Sequence, residues 1–293
     1  MKFGAFDLRI VTDGRFRLDG GAMFGVVPKV LWEKKAPADE KNRILMTTNC
    51  LLIRTGKQNV LIETGMGSRW SDKERGMYGI EETGLLPERL RALGVPPESI
   101  DLVLISHLHF DHAGGGTFEN EAGEVVPTFP NADYVIQAGE LEHARHPYAR
   151  DRASYRPYDF EPVARAGKWK TIEGDVEIVP GIRALKIKGH NETIQSFELE
   201  SEGHAGYYFA DTLPMTPHVA IPWVMGYDLY PHELTEAKTR LLTTAVAERR
   251  LCVFEHDPEI PWGIVVEDAP GKRRVDAVAL DAAEFEPEPA LTR

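Results

Sequence analysis

The stretch from Leu102 to Gly116 restricts what this chain can fold into more than any other part of its 293 residues. Leu102-Val103-Leu104-Ile105 is an unbroken apolar, β-prone run. Ser106 then leads into His107-Leu108-His109-Phe110-Asp111-His112, and Gly114-Gly115-Gly116 follows. A short continuous apolar run closed by glycines reads as a buried strand entering a tight loop. The strand therefore delivers three imidazoles and a carboxylate to the mouth of that loop. These donors suit zinc and other borderline cations. In extended backbone His107 and His109 point the same way and can share one ion. Asp111 and His112, where the loop curls, are placed to face a second ion.

Composition removes several classes of function. With 42% hydrophobic and 27% charged residues, the chain can bury a sizeable core and is not a disordered composition. The formal net charge is -12, and no run of Lys or Arg is interleaved with aromatics, so a nucleic-acid partner is not expected. That charge also disfavours strongly anionic substrates, unless bound divalent cations reverse the field locally. Cys50 and Cys252 each sit in an apolar run and read as small buried hydrophobes rather than a disulfide or a nucleophile. The N-terminus has no basic region followed by an apolar run, and no apolar stretch approaches the roughly 18 residues of a membrane span. No membrane partner and a cytoplasmic location are therefore expected.

Taken in order, Phe6 to Thr12 reads as an opening strand. The segment from Gly20 to Trp32 has neither helical nor strand period, yet it carries Met23, Phe24 and Trp32. It is read either as a covered loop or as an apolar pocket wall. Thr47–Arg54 and Asn59–Glu63 read as paired strands, with Glu63 at a strand end as a candidate support for a metal-bound histidine. A short helix is expected over 87–93, a strand over 134–137 and a helix over 138–145. His143 and His146 read as surface residues. The stretch 144–169 is an aperiodic excursion, a candidate lid or pocket rim.

In the second half, three β-rich runs end on potential ligands. They are Ile182 to Lys188 before Gly189-His190, Gly206 to Ala210 before Asp211, and Leu251 to Glu255 before His256. Ligands at strand ends can converge although they are far apart in sequence. A helix is expected over 235–250 and a closing hairpin around Asp268-Ala269-Pro270-Gly271. One domain over 1–283 is expected, followed by an acidic, Pro-containing tail over 284–293.

His107-x-His109-x-Asp111-His112, followed by His190, Asp211 and His256, resembles the metallo-β-lactamase superfamily of dinuclear hydrolases, and within it the N-acyl homoserine lactonase and methyl-parathion-hydrolase-like branch. The resemblance implies an α+β fold, a four-layer αββα sandwich in a single domain. It implies that His107, His109 and His190 hold one metal, that Asp111, His112 and His256 hold the other, and that Asp211 bridges them. The chain departs from the pattern in three places. Gly189-His190-Asn191-Glu192-Thr193-Ile194 lacks the second histidine and the Pro-Gly turn of many relatives. Pro214 stands where the lactonases place a substrate-contacting tyrosine. Glu63 replaces the usual Asp.

Two divalent ions, zinc first with manganese, iron or cobalt as alternatives, would activate a bridging hydroxide for attack on an ester-like bond. Asp111 and Asp211 are the catalytic candidates, with Asp111 handling the proton. A small-molecule lactone or carboxylic ester with an apolar moiety is the expected substrate. The alternatives are an organophosphate triester or other xenobiotic, and a non-catalytic metal-binding protein of the same fold. Met23, Phe24, His218 and Trp223 are candidate substrate contacts, because the Pro-rich apolar segment 213–228 follows Asp211 directly. A homodimer is a further expectation, from the apolar stretch Met23 to Trp32.

Overall fold

The computed structural model describes residues 1–285. The chain forms two compact units, one made of 9–18 and 45–173 and the other of 1–8, 19–44 and 174 onward. The two large sheets are each seven-stranded.

In the first unit, strand Leu102–Leu104 pairs in parallel with Asn59–Ile62 on one edge and with Asp133–Gln137 on the other, so Leu104 lies opposite both Ile62 and Val135. Successive residues Val103 and Leu104 point to opposite faces and are both buried, as in a parallel sheet covered on both faces, which is why this stretch shows no alternation. Val103, Leu104 and Ile105 are at most 1% exposed. Val103 and Ile105 pack with Leu52, Leu61, Phe129 and Ile136. Arg43–Arg54 is antiparallel to Asn59–Ile62, and Trp169–Ile172 extends the order beyond Asp133–Gln137.

Two helices of this unit were not expected from periodicity. Asp72–Tyr78 is too short to show a period, but Ser71 and Glu74 form a capping box that fixes its start. Pro157–Arg165 lies inside the 144–169 excursion, with Pro157 in the first turn. It is tied down by Asp159, which accepts from Arg69 Nη2 at 2.7 Å, and by the Trp169 indole, which donates to Phe160 O. The excursion therefore contains a packed helix.

Asp13, which directly follows the expected opening strand, organises the loop behind the histidine cluster. Its fully buried carboxylate accepts from the backbone N–H groups of Met66, Gly67, Gly84 and Leu86. Burial raises its pKa while those four donors oppose the rise. The loop it holds packs so closely on the triglycine turn that a Cβ at Gly115 would lie 2.0 Å from Thr64 O.

In the second unit the sheet order is Val176–Val179, Ile182–Lys186, Gln195–Ser201, His204–Tyr208, Leu251–Val253, Trp262–Ala269, Lys272–Ala277. His204–Tyr208 and Leu251–Val253 are parallel, so a crossover must join them, and helix Pro231–Ala247 supplies it. The helix starts four residues before the expected point because Pro231 is accommodated in its first turn. It buries Leu234, Leu241, Leu242 and Ala245, and with them Lys238. The aperiodic segment 20–32 folds as two short helices, Gly20–Phe24 and Lys29–Trp32. Glu284 and Phe285, assigned to the tail by sequence, are packed: Glu284 forms a backbone β-bridge with Lys2, and Phe285 stacks on Phe3. The rest of the tail lies outside the described residues. Cys50 and Cys252 are buried free thiols. Among the described residues no helix is long and apolar enough to cross a membrane.

Replacing Asp13 by Ala strands four backbone donors and should cost about 3 kcal/mol of stability. Urea denaturation would show it as a lowered midpoint, and an unchanged midpoint would refute the role given to Asp13.

Candidate metal centre

The first unit carries the histidine cluster at the end of Leu102–Leu104. The chain bends at Ser106, His109 is extended, and Phe110–Ala113 makes a single helical turn. His107, His109, Asp111 and His112 are all at most 7% exposed. The His107 ring centroid lies 4.4 Å from that of His109 and 4.0 Å from that of His112. Asp111 Oδ1 is 3.8 Å from His112 Nε2. Neutral imidazoles each offer a lone pair, and three of them crowded beside a carboxylate form the donor set that zinc-like cations take. These residues fit a metal.

The outer faces of the rings are held by the same unit. Ser106 Oγ is 2.9 Å from His107 Nδ1. Glu63, the anticipated strand-end carboxylate, accepts from Ser106 N at 3.0 Å and places Oε1 3.6 Å from His112 Nδ1. Its backbone is left-handed, with φ 64°, a conformation a non-glycine residue holds only when its surroundings impose it. Glu140 accepts from Leu108 N and from the Tyr155 hydroxyl, bracing the loop from beneath. Sequence reading missed Glu140, since its link to the cluster spans 32 residues and leaves no local pattern.

The second unit brings together His190, Asp211 and His256. Asp211 Oδ2 lies 3.3 Å from His190 Nε2, and Asp211 Oδ1 lies 3.1 Å from His256 Nε2. Each carboxylate oxygen therefore faces a different histidine. Ala210, just before it, has φ 48° and turns the chain so that Asp211 leaves the strand end pointing inward. His256 is positioned through its backbone, which donates to Pro214 O at 2.9 Å. The loop around His190 manages without a Pro-Gly turn because Asn191 Oδ1 accepts from Thr193 N, closing an Asx turn. Asp228 was not foreseen as a functional residue. It is buried, sits 3.0 Å from His190 Nδ1, and accepts from Met225 N with its other oxygen. Burial raises the Asp228 carboxyl above its ordinary pKa, against the pull of His190.

The four expected substrate contacts also meet within this unit. Phe24 stacks on His218 at 4.9 Å and meets Trp223 edge-on at 5.7 Å, while His218 Nε2 donates to Met23 O. Phe24 and His218 are buried and Trp223 is partly exposed. His143, expected on the surface without a carboxylate, instead pairs with Asp151 at 2.6 Å, a partner that only folding brings near it. His146 is exposed as expected.

The sequence profile of the Metallo-beta-lactamase superfamily matches residues 43–256, from the strand before Asn59 to the last histidine. The chain belongs to that superfamily. It has the α+β metallo-β-lactamase fold and is a hydrolase of this superfamily. N-acyl homoserine lactonase AiiA of Bacillus thuringiensis subsp. kurstaki is 28% identical over 223 residues, covering 72% of this chain and 81% of that protein. A probable metal-dependent hydrolase from Staphylococcus aureus superposes with a TM-score of 0.88 at 32% identity, over 94% of this chain and 97% of that one. An N-acyl homoserine lactone hydrolase solved with N-hexanoyl-L-homoserine at its catalytic metal centre superposes with a TM-score of 0.67 at 25% identity, covering 88% of this chain and 95% of that one.

Burial, aided by Lys238, pushes His218 down to about 4, so it is neutral in the folded protein near pH 7. The unfolded chain takes up this proton at a higher pH than the folded one. His218 therefore contributes fully above about pH 6.5, and its contribution fades as pH falls toward 4. Between pH 7 and pH 5 it should account for about 2 kcal/mol of lost stability. The difference in denaturation free energy between wild type and His218→Phe across that range measures it, and parallel pH profiles would refute it.

Proposed function

We propose that this hydrolase opens lactones or other carboxylic esters bearing an apolar group, with N-acyl homoserine lactones as the leading substrate class. Two divalent ions, zinc by preference, would supply Lewis acidity and an activated water near neutral pH. In this reading His107, His109 and His190 hold one ion, and Asp111, His112 and His256 hold the other. The observation that carries the reading is Asp211, whose two oxygens face His190 and His256 separately, as a carboxylate shared between two ions requires. Asp228 holds the Nδ1 face of His190, leaving Nε2 as the donor. Glu63 does the same for His112 from a greater distance. Asp111 accepts and returns the proton moved during turnover.

The substrate class is supported by the lactonase relatives and by the apolar segment 213–228, anchored at one end by Asp211 and at the other by Asp228. Met23 and Phe24 pack against His218 and Trp223 of this segment, and the four are assigned to the wall for the apolar group. Val26, Val30 and Leu31 remain 90%, 69% and 49% exposed on the neighbouring short helix and loop, which supports a homodimer through that face.

Protein purified without added metal should carry close to two metal ions per chain. It should hydrolyse N-hexanoyl homoserine lactone or a p-nitrophenyl ester faster than a paraoxon-type triester, and chelation should abolish turnover. Preference for the triester would overturn the substrate class, and absence of metal would overturn the centre. Asp228→Ala should weaken metal retention roughly 10–100-fold in a chelator competition.

A further inference from the structure

Helix Asp72–Tyr78 ends on a tyrosine whose hydroxyl bonds to no other described residue. Gly79, left-handed at φ 53°, stops the helix immediately after it, so the ring is presented from a helix end. The Tyr78 ring lies 5.0 Å from Phe110 and meets Trp70 edge-on at 5.6 Å, and Trp70 and Phe110 are 5.4 Å apart. This aromatic shelf is rigid. The Trp70 indole N–H is shared by Met66 O and Gly67 O, and the Arg156 guanidinium covers the Trp70 ring at 4.0 Å. Phe110 stands between His109 and Asp111, so the shelf adjoins the first unit's ligand cluster.

A partly buried phenol normally finds a hydrogen-bond partner. Here it has an apolar body fixed against Phe110 and an uncommitted O–H. A phenol's ordinary pKa of about 10 keeps it protonated near neutral pH. It is a donor and not a base.

We propose that Tyr78 is a catalytic residue, its O–H donating a hydrogen bond to the substrate's ester oxygen as negative charge builds there. The proton stays on the phenol throughout, so the step transfers no atom and needs no co-reactant. The proposal rests on the ester-hydrolase reading above. A donor aimed at a developing oxyanion contributes about 10²–10³ in kcat.

Tyr78→Phe keeps the ring and removes only the hydroxyl. Metal content and denaturation midpoint should match wild type, KM for N-hexanoyl homoserine lactone should stay within about twofold, and kcat should fall about 100-fold. Calorimetric binding of the ring-opened product, N-hexanoyl-homoserine, should weaken about tenfold in the variant, as expected for one hydrogen bond to a charged oxygen. Wild-type turnover together with unchanged kcat and unchanged product binding in Tyr78→Phe would overturn the role of Tyr78 alone. A wild type that neither turns over esters nor binds the product would overturn the hydrolase reading, and this proposal with it.

Discussion

The structure depends on what lies behind the histidines. An imidazole can offer only one lone pair to a metal, and the partner of its other nitrogen decides which one. His107 has Ser106, His112 has Glu63 and His190 has Asp228, each on the Nδ1 side. In the proposed centre this arrangement would make Nε2 of these histidines the donor atom. It also explains why the chain buries so many acidic side chains, among them Glu63, Glu140 and Asp228. Each one is spent on orienting a ligand or the loop that carries it, which offsets the cost of removing it from water.

The backbone makes matching concessions. Glu63 and Ala210 both adopt left-handed conformations, and both sit at strand ends next to the chemistry. A non-glycine residue held there costs on the order of 1–3 kcal/mol. The surrounding strands, buried on both faces, are stable enough to impose it. The close contact of Gly115 with Thr64 O belongs to the same economy of space, since only a residue without Cβ lets the ligand loop settle on the 63–67 turn. Asp13 then gathers that turn and the start of helix Leu86–Ala92 onto one carboxylate.

Much of this was legible in the sequence, and the reason is periodicity and proximity. The apolar run before His107, the strand ends before His190, Asp211 and His256, and the helix after Asp228 all leave local signatures. What was not legible acts across long separations. Asp228 meets His190 38 residues away and Asp13 meets Leu86 73 residues away, and neither spacing follows any rule of helix or strand. His143 was misread for the same reason, because nothing in sequence says that Asp151 returns to it. Helix Asp72–Tyr78 did have a signature, the Ser71-x-x-Glu74 capping box, which a search for hydrophobic period alone passes over.

The Pro-rich segment 213–228 shows how an aperiodic stretch can still be definite. Prolines remove donors and forbid a regular ladder, so its carbonyls must find partners elsewhere. Lys238, buried on helix Pro231–Ala247, donates to Ala220 O, Ile221 O and Trp223 O. Three acceptors match the three N–H bonds of an ammonium and exceed the two of a neutral amine. That geometry holds the proton on the side chain even though burial pushes its pKa down to about 7. One cation thus replaces the hydrogen bonds that a strand would have made. The middle of the segment is thereby pinned to the helix that crosses between the parallel strands.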